Sequence, residues 1–153
     1  MKSGTPRESD EGAMAFKTRL DAVERVRQRA EDSAKLALAR ARIEVARAEG
    51  ELERLRERAR LEDRQAGSAA QWEIRQAARD RALAEIKREE EALRALKARE
   101  AAAREAYEAA HRQFEAVRRV AEGKRAEMAR EAGRKERKAM DEVAAILHGR
   151  KGQ

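Results

Sequence analysis

Apolar residues recur every three or four positions along almost the whole chain. A first stripe runs Leu20, Val23, Arg27, Ala30, Ala34, Leu38, Ala41, Val45, Ala48, Leu52, Leu55 and Ala59. Alternating steps of three and four are the spacing of a helix that lays one seam against a partner helix. The one four-four step, Ala34 to Leu38, predicts a stutter that locally unwinds a left-handed supercoil. Many seam positions are alanine, which lets helices approach closely but buries little area. Gly50 adds a mid-helix cost of about 1 kcal/mol relative to alanine.

A second stripe runs Leu83, Ile86, Leu93, Leu96, Glu100, Ala103, Tyr107, Ala110, Phe114, Val117, Ala121, Lys124 and Met128. Between the stripes lies the interruption Gln65-Ala66-Gly67-Ser68-Ala69-Ala70. Gly67 accepts the left-handed conformation that ends helices, and Ser68 can cap the next N-terminus. The single proline, Pro6, lies outside both stripes. The pattern predicts an all-α fold, a long antiparallel two-helix coiled-coil hairpin whose second helix is longer than the first. The expected boundaries are a disordered arm over 1–15 and a single hairpin domain over 16–148. Within the hairpin, helix one covers about 17–64, the turn about 65–70 and helix two about 71–147. A disordered tail over 149–153 follows. Met14-Ala15-Phe16-Lys17 also reads as a second candidate translation start.

At ~1.5 Å per residue the first helix spans about 70 Å and the second nearly 120 Å. Equal-length pairing from the turn sets Lys17 opposite about Ala121. Roughly the last twenty-five residues then project, weakened by Gly123 and Gly133, and Met140, Val143 and Leu147 give that end a short apolar stripe of its own. Residues 118–138 hold nine basic and four acidic side chains, a local net of +5. Phe16 and Phe114 are expected to close the open end of the hairpin. Trp72, the only tryptophan, directly follows the break. It reads either as a hydrophobic plug at the turn or as an exposed partner anchor.

Composition narrows the function. The chain is 44% charged and 3% aromatic, against about a quarter charged for an ordinary globular domain, so a compact core and an enclosed pocket are not expected. The net charge of +7 comes from 28 arginines and 9 lysines against 30 acidic residues. The signs are interleaved, as in Arg54-Leu55-Arg56-Glu57-Arg58, and partly cancel. Pairs such as Glu31 with Lys35, Glu90 with Arg94, Glu100 with Arg104, Glu115 with Arg119 and Glu131 with Lys135 have the favourable order along a helix. No apolar run approaches a membrane span. Zero cysteines exclude disulfides and thiolate metal sites, and these absences favour the cytoplasm. No phosphate loop, nucleophile elbow or metal-ligand cluster is present. His111 reads as a surface histidine and His148 as a helix-ending one. The chain is expected to be no enzyme, with no cofactor, no metal and no catalytic residues.

Two stretches carry a resemblance. Met14-Ala15-Phe16-Lys17-Thr18-Arg19-Leu20, with Val23, Val26 and Arg27, resembles the opening of FliJ-type flagellar export proteins. Near the other end, Glu131, Lys135-Glu136 and Met140-Asp141-Glu142-Val143-Ala144 are similar to that family's C-terminal signature. The break followed by Trp72 looks like its interhelical turn, and the likeness covers residues 14–150. The resemblance, shared with the YscO-type stalks of type III secretion, implies a non-enzymatic cytoplasmic stalk, peripheral at the inner face of the cell membrane. It implies that the paired termini enter a hexameric export ATPase, through Arg19 and Arg27 on the first helix and Glu131, Lys135, Asp141 and Glu142 on the second. It also implies contact of the turn end with the cytoplasmic ring of the export gate, for which Trp72, Leu83 and Ile86 are the candidates, and association with export chaperones. The alanine- and arginine-rich start of helix two, with Ala77, Ala78, Arg79, Arg81 and Ala82, departs from the family's pattern. No nucleic acid is expected as partner. The alternatives are a basic coiled coil that binds nucleic acid and a homo-oligomeric structural coiled coil.

Overall fold

The computed structural model describes residues 7–63 and 67–152, apart from the side chains of 7–11, 13, 15–18 and 63. Two helices make up the fold, α1 (Arg7–Asp63) and α2 (Ala69–Lys151). They pack against each other, α2 is the longer by 83 residues to 57, and the described residues contain no strand. Both helices outrun their expected limits. α1 starts at Arg7 rather than near Lys17, so the described part of the expected disordered arm has helical backbone, Gly12 included. α2 continues through Gly149 to Lys151, into the expected tail. One glycine costs about 1 kcal/mol in a helix, too little to stop a helix flanked by alanine, arginine and glutamate.

The helix break is built differently from the expectation for Gly67. No glycine among the described residues has a positive φ, so Gly67 is not a left-handed cap. Its missing Cβ makes room instead: a methyl there would sit against the guanidinium of Arg75 and the carboxamide of Gln71. Ser68 directly precedes α2, at the expected N-cap position, and its backbone makes the capping bonds. Its N–H donates to Gln71 Oε1 at 3.1 Å, and the Gln71 N–H donates back to the Ser68 carbonyl at 3.0 Å. A residue at N-cap bonded to a Gln three positions on satisfies amides that the first helical turn leaves without partners.

The described contacts divide the chain into two compact units, one comprising Ala30–Ala110 and the other Met1–Arg29 with His111–Gln153. In the first, Leu38, Val45 and Leu52 are buried at seven-residue intervals, and Ala34, Ala41, Ala48, Leu55 and Ala59 are half-buried between and beyond them. Opposite them, Ala82, Ile86, Glu89, Leu93, Leu96, Glu100, Ala103, Tyr107 and Ala110 of α2 are half-buried in strict alternation of four and three. Ala82 therefore takes the seam slot expected for Leu83, which is exposed. Ion pairs cross at the rim: Arg42 with Glu100 at 3.6 Å, Glu49 with Lys97 at 2.8 Å and Arg56 with Glu90 at 2.7 Å. Glu90 thus reaches across to α1 rather than along the helix to Arg94, whose side chain meets the Glu90 carbonyl. Of the expected intrahelical pairs, Glu100 with Arg104 forms at 3.1 Å, whereas Glu115 meets Arg118 instead of Arg119.

In the second unit, Ala121 is buried and Leu20, Asp21, Glu24, Phe114, Val117 and Met128 are half-buried. The predicted α1 stripe fails here. Val23 is 46% exposed and Ala30 is exposed, while the Glu24 side chain is only 17% exposed. The protected positions of α1 step Leu20, Glu24, Arg27, Glu31, Ala34, Leu38 in unbroken alternation of four and three, with exposed Arg27 in the intervening slot, so the predicted stutter is absent. Turning Val23 and Ala30 inward would require unwinding the helix for two small side chains. Keeping the heptad phase places Glu24 at the seam, where Arg125 compensates its charge. The Phe16 side chain lies outside the described residues; Phe114 is half-buried, and its neighbour Gln113 accepts a hydrogen bond from Arg27 at 2.6 Å.

Candidate interaction surfaces

With side chains this sparsely buried, the chain can act only through its surface, and the exposed apolar and charged residues at the helix ends come first. The pairing register determines what each end presents. The residue numbers of Glu49–Lys97, Arg56–Glu90 and Asp21–Arg125 each add to 146, and those of Arg42–Glu100 to 142. Asp21 therefore faces Arg125, about two helical turns beyond the position that equal-length pairing assigns it. Carried back to Arg7, the same total reaches Ala139. On that register residues 140–151 of α2 extend past the first described residue of α1, roughly half the predicted overhang, because α1 begins ten residues earlier than expected and the register is shifted by about eight.

That terminal stretch presents two faces. Met140, Val143, Ile146 and Leu147 are between 56% and 71% exposed. Met140, Val143 and Leu147 follow i, i+3, i+7 spacing and form one apolar stripe. Glu131, Lys135 and Glu142 are exposed and, at i, i+4, i+11, share a second face, turned roughly 130° from that stripe. Asp141 is exposed between the two. Just before this stretch, Lys124 Nζ pairs with Glu127 at 2.9 Å. Glu127 bonds to Lys124 and is held below its ordinary carboxylate value; Lys124 is raised by that hydrogen bond first, with Glu131 adding a smaller attraction. Of the α1 residues assigned to this end, Arg19 is exposed, and the guanidinium of Arg27 is held by Gln113 of α2.

At the turn, Trp72 is 64% exposed and so is not the hydrophobic plug that was one of its two readings. It lines a shallow hollow of about 360 Å³ with Ala59, Glu62, Arg75, Arg79 and Leu83. Leu61 and Ile74 are exposed nearby in sequence; the periodic stripes gave no sign of Ile74, because it falls between seam positions. Ile86 is half-buried in the seam, which leaves Trp72 and Leu83 the more accessible of the three turn-end residues.

No group of three or more His, Asp or Glu among the described residues is placed to hold a metal ion. Among the same residues no helix is long and apolar enough to cross a membrane. The arrangement defines a two-helix coiled-coil protein with exposed apolar groups at its helix ends. The chain belongs to the FliJ family: the pattern described as "Flagellar FliJ protein" matches residues 16–153. It is thereby a component of the flagellar export apparatus, in a family of structural export components rather than known enzymes. No curated protein and no solved structure matches the chain.

Proposed function

We propose that this protein is the non-enzymatic cytoplasmic stalk of the export apparatus, inserting its paired termini into a hexameric export ATPase. The observation that carries this reading is the end of α2, where Met140, Val143 and Leu147 stand exposed on one face and Glu131, Lys135 and Glu142 on another. A flat partner covers one face of a helix. A ring encloses all of them, so recognition groups on separate faces suit insertion into a central hole. Asp141 on the flank, and Arg19 on α1, complete the ATPase-facing set; Arg27 acts there through the orientation its Gln113 bond gives it.

At the opposite end, Trp72 and Leu83, with part of Ile86, form the surface offered to the cytoplasmic ring of the export gate. An aromatic anchor beside a hollow lined by Arg75 and Arg79 has the make-up of a binding hot spot. Contact with gate and chaperones would keep the protein peripheral at the inner face of the membrane. Binding of the chain truncated before residue 131 to its cognate hexameric ATPase, measured by titration calorimetry, tests the reading. Loss of binding is expected; undiminished affinity would overturn it.

A further inference from the structure

The seam of α1 in the unit Ala30–Ala110 is formed by Leu38, Ala41, Val45, Ala48 and Leu52. Two residues earlier in each case stand Leu36, Ala39, Ile43, Ala46 and Gly50. They repeat the same three-four spacing on the side of the helix turned away from the seam. Leu36 is 52% and Ile43 61% exposed, and Ala39 and Ala46 are exposed as well. A hairpin that buries one stripe has no use for a second one behind it. The stripe covers about four helical turns and alternates large with small side chains, which is the form that accepts knobs from another helix.

The charges along its edges select the partner. In heptad terms the flanking positions are Lys35, Arg42 and Glu49 on one side and Arg40 and Arg47 on the other. Arg42 and Glu49 are turned to the seam, where they pair with Glu100 and Lys97. Lys35, Arg40 and Arg47 form no ion pair among the described residues, so the flanking charges left unengaged are all cationic. A second copy of this chain would bring the same cations against them, and like charges at these positions oppose pairing. A lipid surface would gain only Leu36 and Ile43 as large apolar groups, well short of the broad apolar face of helices that lie in an interface. We propose that this face docks an amphipathic helix of a partner protein whose apolar stripe is flanked by glutamate or aspartate.

Fluorescence anisotropy with the full chain tests this through a synthetic 21-residue helix bearing leucine and alanine in heptad spacing and glutamate at both flanks. A sister peptide carries lysine at the flanks. The chain is expected to bind the glutamate peptide at least ten-fold more tightly than the lysine peptide. Arg40→Glu with Arg47→Glu should reverse that preference, and Leu36→Glu with Ile43→Glu should lower affinity for the glutamate peptide by ten-fold or more. All four positions are solvent-facing, so helicity by circular dichroism should hold and loss of binding will not reflect unfolding. Equal binding of both peptides, or unchanged binding by either double variant, overturns the proposal. So does self-association, or pelleting with phosphatidylglycerol vesicles, that disappears in Leu36→Glu with Ile43→Glu. In cells, a photoreactive residue at position 43 should yield an adduct whose sequenced peptide is an acidic heptad helix. An adduct with this chain, with lipid, or no adduct overturns the assignment. Binding to the export ATPase should be unaffected by all of these changes, which separates this test from that of the stalk reading.

Discussion

Arg125 of α2 donates from one guanidinium nitrogen to Asp21 of α1 at 3.0 Å, and from the same nitrogen to Glu24. The pairing fixes the register of this part of the molecule and accounts for a glutamate at a seam position. The Arg125 guanidinium is raised above its ordinary value, by the Glu24 bond first and the Asp21 bond second. Arg125→Ala is expected to lower the thermal midpoint of the helical signal, and Glu24→Ala to remove most of the same effect. A double-mutant cycle checks this: a coupling indistinguishable from zero would show that the register is held elsewhere. The coupling should shrink with added salt, since the three side chains are solvent-accessible.

The unbroken heptad phase makes a sharper distinction among apolar residues. Leu52→Ala removes a buried seam side chain and should cost about 2–3 kcal/mol, at the low end for core leucines because the seam is narrow. Val23→Ala should change stability by less than about 0.5 kcal/mol, as for other exposed positions. Urea denaturation followed by circular dichroism compares them. A cost at Val23 matching that at Leu52 would restore the stuttered seam.

Much of the fold was legible because its period is simple. Leu38, Val45 and Leu52 stand seven apart, and Ser68 marks a helix start. The phase before Ala34 was not legible, because Val23 and Ala30 are more apolar than Glu24 and Glu31 and only the distant Arg125 makes Glu24 tolerable. The register was equally hidden: an alanine-rich seam repeats itself every heptad, so slips of seven residues look alike until ion pairs such as Glu49–Lys97 select one. Exposure of Trp72 likewise did not follow from spacing, since a tryptophan beside a helix break suits a plug and an anchor equally. The apolar end at Met140, Val143 and Leu147 was visible as a stripe, and its extent past α1 was not.

Gly50, Gly123 and Gly133 lie inside helices without positive φ, and a Cβ at any of them meets nothing within 4 Å. Replacement by alanine should therefore stabilise the protein by about 0.5–1 kcal/mol at each position, mainly by restricting the unfolded chain. Thermal denaturation of the single variants measures this. A destabilised Gly123→Ala or Gly133→Ala would reveal a contact that these glycines leave open for a partner.

The pair of Lys124 and Glu127 gives a pH signature. Glu127 is depressed below the ordinary value of 4.5, so its contribution is present above the unfolded carboxyl value and is lost as pH falls through the lower folded value. Lys124 is raised above 10.5, so its contribution is present below that value and fades as pH rises through the folded one. Carboxyl carbon shifts in an NMR titration should place Glu127 below 4.5, and Lys124→Ala should move it upward. No movement in that variant would assign the depression to other charges.

The stalk reading is tested most directly at the end of α2. Full-length protein carrying Met140→Glu, Val143→Glu and Leu147→Glu alters only solvent-facing side chains and should keep its helicity. Titrated into the cognate export ATPase hexamer, it should bind at least ten-fold more weakly than the unaltered chain, a loss of about 1.4 kcal/mol or more. Affinity equal to that of the unaltered chain would contradict insertion of this end into the ring.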